Sequence, residues 1–426
     1  MSVFQWSNPY HRRWLLWGIL AITFLLVNVY RLSTAVIADS LMAAFETTGG
    51  QLGTLHATFF LVYALMQIPT GILVDRIGPR RTAAAGAATM NVGAIWFALA
   101  GGYGSAIGAR LLIGLGGSVI FVSMLRFSAN WYRADEFGTM NGLCFAVGGV
   151  GGILATTPFA IAVDVAGWRT SLVALGTLGL VLAVATFLFV RDSAERAGLA
   201  PIDGVPERPM LGLGEVRRYL DSVLRDRWTW VAGVLLFCSS GVNLTLFGLW
   251  GIPYVVQVYG TSVTFASTFT LLGGVGAVVG PPAIGWFSDR TGRRTELIVG
   301  GGVVYTAGLA AIAVLGDPPL AFVAVVFFLT GALLGVFVLT YPMIRERTEE
   351  RASGIALGTI NGAAFLGAAT LPTMMGWALD AYWTGEVVAG ARVYTVAGYR
   401  VAFAIVALMG VIALGCAVWL YRREHE

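Results

Sequence analysis

The chain has 426 residues and a formal net charge of +4, and 57% of its residues are hydrophobic while only 12% are charged. A soluble chain carries about a quarter charged residues, and here the charges cluster between apolar runs of about 20 residues, the length that crosses a bilayer. This composition excludes a water-soluble globular protein. Cys144, Cys238 and Cys416 lie far apart in apolar runs, so we expect no disulfide framework, no metal site and no cofactor.

Twelve apolar segments are predicted to cross the membrane. They are expected to be helices, because an isolated strand would leave its backbone polar groups unpaired in lipid. The first segment follows Arg12 and Arg13, and its length indicates a transmembrane helix rather than a cleaved signal peptide. In chain order, the predicted segments are 14–38, 51–74, 82–101, 104–128, 137–163, 168–190, 229–254, 264–288, 295–316, 319–344, 353–379 and 398–421.

The arginines predict the orientation of these segments, since loops rich in basic residues stay in the cytoplasm. One set of loops, together with both termini, carries most of them, whereas the opposite set carries only Arg169, Arg392 and Arg400. We therefore expect a multi-pass protein of the cytoplasmic membrane, in contact with the lipid bilayer and with both termini in the cytoplasm. Because the basic residues mark topology, the net charge does not indicate a nucleic-acid partner.

A long connection, 191–228, separates the sixth and seventh segments. Within it, residues 214–227 have apolar side chains at helical spacing and charged side chains on the other face. This pattern is typical of a helix lying in the membrane interface, and equally of a soluble linker helix. The predicted division is an N-terminal six-helix bundle (1–190), this cytoplasmic linker and a C-terminal six-helix bundle (229–426).

Three short sequences each occur twice, in the same order and at equivalent places of the two halves. The pairs are GILVDRIGPRR (71–81) with GWFSDRTGRR (285–294), GTMNG (138–142) with GTING (358–362), and VAGWR (165–169) with VAGYR (396–400). Such ordered pairs are hard to obtain by chance and indicate an internal duplication. The two halves are therefore predicted to be parallel six-helix repeats.

The first of these pairs resembles the motif of the major facilitator superfamily, G-x-L-x-D-R-x-G-R-R, with Pro79 inserted as a departure. The resemblance extends over essentially the whole chain and includes the R-x-x-x-G-x-G pattern at Arg110, Gly114 and Gly116. It implies an all-α integral membrane fold of twelve transmembrane helices in two parallel six-helix repeats. The gating motif that it implies comprises Gly71, Asp75, Arg76, Gly78, Arg80, Arg81, Gly285, Asp289, Arg290, Gly292 and Arg293.

The loops of this motif are expected to act as gates. Gly71 and Gly78 would allow close backbone approach, and Asp75 would accept hydrogen bonds from a helix N-terminus. The arginines would pair with carboxylates of the other half and hold the cytoplasmic ends together while the site faces outward. The alternative is that the arginines only mark topology, which leaves the aspartate and the paired glycines unexplained.

Apart from Arg169 and Arg400, which are assigned to the loops of the opposite face, three arginines lie within the predicted segments, where a charge costs at least about 3 kcal/mol and usually has a function. Arg31 is the expected ligand of a substrate anion, because a guanidinium binds carboxylate or phosphate with two hydrogen bonds. Arg126 would either line the cavity or extend to the cytoplasmic interface. Arg110 would either act in coupling or serve as a structural cation.

Uncharged polar side chains are expected to line the same cavity, or else to form hydrogen bonds between helices. These candidates for substrate binding or coupling are Tyr63, Gln67, Asn243, Tyr254 and Asn361. His56, near the start of the second segment, would either relay protons or contact interfacial water.

Cations without a deep carboxylate favour an anionic substrate, and the surroundings of Arg31 resemble those in the organic-anion and sugar-phosphate branches of the superfamily. The predicted function is secondary active transport by alternating access, with proton-coupled import (symport) of a small organic anion by a monomer. The main alternative is a drug or metabolite efflux antiporter, which predicts a deep acidic residue that is not evident. A membrane receptor or an intramembrane enzyme is a different class. Because no nucleophile–base pair or signalling domain is evident, the chain is predicted not to be an enzyme.

Overall fold

The computed structural model describes residues 8–133, 135–205, 213–349 and 352–426. Within these ranges, eleven helices or joined helical runs are long and apolar enough to cross a membrane, and one bent helix pair adds a twelfth. These twelve spans coincide with the twelve predicted segments to within a few residues. The largest differences lie at the start of span 1 and the end of span 7. The expected all-α fold with twelve spans is confirmed.

Spans 1–6 form the N-terminal half of the molecule, and spans 7–12 form the C-terminal half. The first six are Pro9–Leu32 with the 3-10 turn Ser33–Ala35, Gly49–Leu65 with Gln67–Ile77, Pro79–Leu99, Tyr103–Ser118 with Ile120–Trp131, Phe137–Leu154 with Thr157–Ala166, and Trp168–Phe189. The last six are Arg227–Thr245 with the π turn Leu246–Trp250 and Gly251–Tyr259, Val263–Thr291, Arg294–Leu315, Leu320–Ala332 with Leu334–Val338 and Thr340–Arg347, Ser353–Asp380, and Val396–His425.

Prolines account for several breaks within the spans. In spans 2, 5 and 10, a helical segment ends four residues before a proline, so the carbonyl group at that end has no backbone N–H to bind. The segment ends are Leu65, Leu154 and Val338, and the prolines are Pro69, Pro158 and Pro342. Span 2 bends by 55° at its break. In span 7, Pro253 lies four residues after Leu249, and the chain forms a π turn there.

The two ends of the bundle differ in composition. At the arginine-rich end, where span 1 begins and span 12 ends, Arg13 donates two hydrogen bonds of 2.8 and 2.7 Å to Glu136. At the same end, the start of span 7 packs against the end of span 12, where the centroids of the Trp228 and Trp419 rings lie 5.3 Å apart. The other end, called the hairpin end below, carries an antiparallel hairpin between spans 11 and 12.

This hairpin consists of β1 (Trp383–Val388) and β2 (Ala391–Tyr394), with Val388 opposite Ala391. No strand is predicted there from the sequence. The connecting residues Ala389 and Gly390 have φ angles of 52° and 84°, as a two-residue hairpin turn requires. The short helix Ala38–Phe45, which follows span 1, lies beneath this turn: a Cβ added to Gly390 would be 2.5 Å from the Ala43 Cβ.

The middle connection contains a helix, Leu213–Arg225, where the spacing of apolar residues predicts one. Tyr219 and Val223 of this helix are buried. Residues 206–212, which also belong to the predicted linker, lie outside the described residues. The division of the chain at 191–228 therefore stays a prediction.

Candidate functional site

The candidate site lies at the interface between the N-terminal and C-terminal halves, which is called the seam below. The first of its residues along the chain is Arg31. This residue is next to the end of the span 1 helix, where the 3-10 turn Ser33–Ala35 begins. Its side chain is only partly buried, and its Nε has no hydrogen-bond partner among the described residues. A guanidinium without a counterion is unstable between helices unless water or an anion meets it. Arg31 is therefore available to bind an anion.

Tyr63 places Arg31 on the seam. The Tyr63 hydroxyl in span 2 lies within electrostatic range of the Arg31 guanidinium. The Tyr63 ring contacts the ring of Phe365 in span 11, with the two ring centroids 4.4 Å apart. Because Phe365 belongs to the C-terminal half, the side chains of Arg31 and Tyr63 face the boundary between the halves.

A chain of hydrogen bonds crosses the seam beside this cluster. The Asn361 amide of span 11 donates to Oε1 of Gln67 in span 2 at 3.2 Å, and its Oδ1 accepts from the hydroxyl of Tyr341 at 2.8 Å. All three side chains are partly exposed. Partly exposed amides and hydroxyls of this kind can orient the polar groups of a small solute.

The structure thus brings together four of the eight predicted binding residues. These are Arg31, Tyr63, Gln67 and Asn361. Sequence reasoning missed Phe365 and Tyr341, which come from the same side of the seam as Asn361. Helical spacing could have found Phe365, because it lies one turn after Asn361 and shares its face.

Arg110 has a different environment, inside the N-terminal half. Its guanidinium donates to the backbone oxygen of Tyr30 at 3.0 Å and to the hydroxyl of Thr34, and it lies 5.1 Å from the centroid of the Phe97 ring. The side chain is only 3% exposed. These bonds join span 4 to the end of span 1. Arg110 therefore lies inside the N-terminal half, next to the candidate site, and does not line it.

Two further candidates lie inside the C-terminal half. The Asn243 amide donates to the backbone oxygen of Ser239 at 3.0 Å and to the Tyr305 hydroxyl at 3.1 Å. The Tyr254 hydroxyl donates to the backbone oxygen of Gly316 at 2.9 Å. Both side chains are buried. These contacts agree with the alternative reading, in which such residues form hydrogen bonds between helices.

Arg126 belongs to the gating motif rather than to the cavity. Its Nε lies 3.2 Å from Oδ1 of Asp75, so the pair joins span 4 to the end of span 2. The expectation that Asp75 accepts hydrogen bonds from a helix N-terminus is wrong in this conformation. That contact is made by Asp192, which accepts from the backbone N–H of Arg80 at 2.9 Å in the first turn of span 3.

Of the two glycines of the first motif, Gly78 makes the expected close approach and Gly71 does not. Gly78 has a φ of 92°, and a Cβ there would lie 2.8 Å from the Asp192 carboxylate, so a side chain is excluded. Gly71 needs no close approach, because a Cβ there would meet nothing within 4 Å. The same is true of Gly285 and of Gly292, although Gly292 adopts a φ of 68° at the end of span 8.

The arginine contacts that the structure describes in this motif stay within one half. Arg80 donates to the backbone oxygen of Phe187 at 2.8 Å, and Arg290 lies 5.4 Å from the Trp286 ring. Asp289 lies 3.9 Å from Arg294, which pairs more closely with Glu346 at 2.7 Å. The exposed arginines of the motif are Arg76, Arg81, Arg290 and Arg293. Among the described residues, these arginines do not form the expected pairs with carboxylates of the other half in this conformation.

The hairpin end, in contrast, is closed by direct bonds between the halves. The Asp380 carboxylate at the end of span 11 accepts from the backbone N–H groups of Gly49 and Gly50 at 2.8 Å each. It also accepts from the Tyr394 hydroxyl at 3.3 Å and the Arg392 guanidinium at 3.4 Å. A carboxylate at the N-terminus of a helix satisfies unpaired donors and the helix dipole at once.

Spans 2 and 11 approach closely along the same contact, and spans 5 and 8 close the opposite side. A Cβ added to Gly53 would lie 2.4 Å from the backbone oxygen of Pro372. The Ser267 hydroxyl of span 8 donates to Thr157 of span 5 at 3.0 Å. The seam is therefore closed at the hairpin end, while polar groups remain partly exposed toward the arginine-rich end.

A comparison with known families identifies the fold. The family model described as Major Facilitator Superfamily matches residues 16–281 and 234–426, which together extend over nearly the whole chain. The chain belongs to this superfamily.

Two relatives of this chain are named as transporters. A protein of Cupriavidus necator named "Probable sulfoacetate transporter SauU" is 25% identical over 335 residues, which cover 77% of this chain and 75% of that protein. The D-galactonate transporter of Escherichia coli O6:H1 is 24% identical over 399 residues, covering 88% and 91%. This chain is therefore a membrane transporter of the superfamily and not an enzyme.

The fold is shared with a solved structure of another member. A bacterial homologue of the human lysosomal transporter Spinster, in an inward-facing and unoccupied conformation, aligns with a TM-score of 0.79. The alignment covers 96% of this chain and 97% of that one at 17% identity. The arrangement of twelve spans in two parallel six-helix repeats is thereby confirmed.

Proposed function

We propose that this transporter imports a small organic anion across the cytoplasmic membrane by alternating access, with the inward movement of a proton as the driving reaction. The observation that carries the anionic substrate is Arg31, a guanidinium on the seam whose Nε has no partner among the described residues. A carboxylate, sulfonate or phosphate would supply the missing charge and two parallel hydrogen bonds.

The groups around Arg31 suit a solute that carries hydroxyl or carbonyl groups as well as a charge. Tyr63 and Phe365 provide aromatic surfaces, and the hydrogen-bonded pair Gln67 and Asn361 provides donors and acceptors from both halves. A solute bound to Arg31 and to Asn361 would touch both halves at once. Its binding energy would therefore depend on how the halves are arranged, as alternating access requires.

The names of the relatives support the same substrate class. Sulfoacetate and D-galactonate, named for the two relatives above, are both small organic anions. The relatives share about a quarter of their residues with this chain, so they support a class of substrate and not one compound.

The conformation supports a cycle of alternating access. With the hairpin end closed, the site is reached from the arginine-rich end, which the positive-inside rule assigns to the cytoplasm. In the opposite state, the Asp380 bonds would break and the gating arginines would come within reach of the other half. Labelling of single cysteines with an impermeant reagent in whole cells tests this orientation: Thr384→Cys in the hairpin should react, and Arg422→Cys at the C-terminal end of span 12 should not.

Uptake by proteoliposomes tests the proposed function. Wild-type protein is assayed with radiolabelled sulfoacetate, D-galactonate, succinate and glucose 6-phosphate, and with the neutral sugar galactose, in the presence and absence of a pH gradient. We expect uptake of at least one anion and no uptake of galactose. Arg31→Gln should reduce that uptake by about 10- to 150-fold, because a hydrogen bond to a charged group contributes about 1.5–3 kcal/mol.

Arg225→Gln is the matched control, since its side chain is 79% exposed on the linker helix and forms an ion pair with Asp221. It removes the same charge without touching the seam and should transport normally. Uptake of galactose with normal rates in Arg31→Gln would show that the anion assignment is wrong.

A further inference from the structure

His56 is a fully buried titratable residue in the seam that the proposed anion site does not use. Its exposed fraction is 0%, and neither ring nitrogen forms a hydrogen bond of good geometry with a described residue, although the backbone of Leu244 lies close to the ring. The imidazole lies against the π turn of span 7, where a Cβ added to Gly248 would be 2.9 Å from both Cε1 and Nε2 of His56. Because residue 248 is a glycine, the His56 ring of the N-terminal half can pack directly against span 7 of the C-terminal half.

The groups packed around the imidazole supply no counterion. On its own span, the Phe60 ring lies 5.0 Å away, and span 1 contributes the apolar side chain of Leu32 beside Gly248. Span 7 contributes the backbone near Leu244 and Gly248. Among the described residues, the charged group that acts on His56 is the Arg110 guanidinium of span 4. An imidazolium in the closed seam would therefore be dry and would face another cation, so the neutral ring fits this state.

Structural stability does not explain a histidine at this position. A buried polar ring without a well-formed hydrogen bond destabilises the folded protein, whereas an apolar side chain of similar size would not. The seam at the hairpin end has to open during alternating access, and water would then reach both nitrogens. A group that is dry in one state and hydrated in the other binds a proton with different affinity in the two states, which links proton binding to the conformation.

We propose that His56 is the group that binds and releases the coupling proton. This inference rests on the proposed function, which requires a proton to move with the solute. When the hairpin end is open, a ring nitrogen takes a proton from water of that side. The imidazolium can be enclosed only while a solute anion balances its charge, so the hairpin end closes on proton and anion together.

Release follows from the same charge balance. When the anion leaves toward the arginine-rich end, the imidazolium remains near Arg110 without a counterion and gives its proton to water of the cavity. The neutral ring then packs against Gly248, as it does in this structure. One proton enters from one side and one leaves to the other for each anion, with no covalent change in the protein.

The experiment compares wild type with His56→Gln in proteoliposomes, with His425→Gln as the matched control at the exposed end of span 12. The probe is the anion of the panel above that wild type accumulates fastest. For wild type and His425→Gln, the ratio of internal to external anion concentration should rise by up to about tenfold for each pH unit of an inward-directed proton gradient. In His56→Gln this ratio should stay near one, while exchange of labelled for unlabelled anion at equal pH continues.

The outcomes separate this inference from the proposed function. Continued exchange with lost accumulation supports the assignment of His56. Gradient-driven accumulation by His56→Gln equal to that of wild type overturns the assignment and leaves the proposed function intact. A wild-type protein that exchanges the anion without any dependence on the pH gradient overturns the proton coupling and the role of His56 together.

A second measurement does not depend on the folding of the His56 variant. The chain contains three histidines, and His11→Gln with His425→Gln leaves His56 as the target of the histidine reagent diethyl pyrocarbonate. We expect slow modification in this background and at least tenfold faster modification when Asp380→Asn is added to open the hairpin end.

Opening by Asp380→Asn is verified by faster maleimide labelling of Ser267→Cys, and Gly53→Ala replaces it if that labelling stays slow. Equal rates of His56 modification in the closed and the opened protein would show that His56 does not become hydrated on opening, which overturns the inference.

Discussion

Three arginines that are alike in the sequence have three different environments in the structure. Arg31 has an unpartnered Nε on the seam, Arg126 is paired with Asp75, and Arg110 is bonded to the end of span 1 within its own half. Hydropathy predicts that each lies in an apolar span, because span length is a local property. It does not predict which helix packs against each guanidinium, because that partner is distant in the sequence. The role of Arg31 as substrate ligand stays a prediction.

At the residue scale, Asp39 is expected to make closure of the hairpin end depend on pH. Burial in the short helix after span 1 raises the pKa of the Asp39 carboxyl to about 6, and its Oδ1 has no hydrogen-bond partner among the described residues. The ordinary pKa of about 3.9 applies when the hairpin end is open and the group is hydrated. Ionisation of Asp39 therefore adds no free-energy cost to closure of the hairpin end below about pH 4. It adds an increasing cost between about pH 4 and 6 and its full cost above about pH 6.

The measurement uses Ser267→Cys, a buried position on the seam between spans 5 and 8, in a background in which Cys144, Cys238 and Cys416 are replaced. Its labelling by an impermeant maleimide reports opening of the hairpin end. We expect the ratio of labelling rates, wild type over Asp39→Asn, to rise by about tenfold between pH 4 and 6 and then to level off. The ratio cancels the pH dependence of the thiol and of other groups, and a ratio that does not change with pH would contradict the prediction.

At the element scale, the spans and some of their breaks follow from local sequence. Apolar length places the twelve spans, and prolines place the breaks in spans 2, 5, 7 and 10. The hairpin between spans 11 and 12 has no such signal, because its strands have six and four residues and its turn is Ala389-Gly390 rather than a common Asn-Gly pair. Its tertiary contacts with span 2 and with the helix after span 1 stabilise it.

The close approach of spans 2 and 11 predicts a substitution that prevents closure without unfolding either half. In Gly53→Ala, the new Cβ would lie 2.4 Å from the backbone oxygen of Pro372, which belongs to the other half. Overpacking of this kind costs about 1–3 kcal/mol, so opening of the hairpin end should increase roughly 5- to 150-fold. We expect faster labelling of Ser267→Cys and loss of net uptake, with little change in the melting temperature of the detergent-solubilised protein.

Two further glycines provide the controls. Gly116→Ala would place its Cβ 2.3 Å from the backbone oxygen of Gly86 within the same half, so it should lower the melting temperature without favouring one conformation. Gly18→Ala meets nothing within 4 Å and should have no effect. Unchanged labelling in Gly53→Ala would show that the halves separate elsewhere.

At the scale of the whole molecule, the Asp380 carboxylate joins spans 11 and 2 across the two halves at the hairpin end, while Asp164 of span 5 accepts a hydrogen bond from the Thr264 hydroxyl of span 8 on the opposite side. Asp380 accepts hydrogen bonds from two backbone N–H groups of span 2, and these bonds have no counterpart once the halves separate there. Asp380→Asn removes the charge but keeps the size of the side chain. Since hydrogen bonds to a charged group contribute about 1.5–3 kcal/mol, the open state should gain about 10- to 150-fold in population.

Labelling of Ser267→Cys again measures this population. Asp317→Asn is the matched control, because Asp317 is an exposed carboxylate in the loop between spans 9 and 10 at the same end. It should label as slowly as wild type. If Asp380→Asn also labels slowly, the closed state depends on the packing of spans 2 and 11 and not on this carboxylate.

The sequence by itself determined the twelve spans, the internal duplication, the superfamily and the expectation of an anionic solute. These follow from local hydropathy, repeated motifs and arginines in apolar segments, which are properties of neighbouring residues. Only the tertiary structure decided that Asp75 pairs with Arg126, that Asp192 binds the N-terminus of span 3, and that Asp380 closes the hairpin end. Each of these contacts joins residues tens to hundreds of positions apart, and the choice of partner depends on how the helices pack.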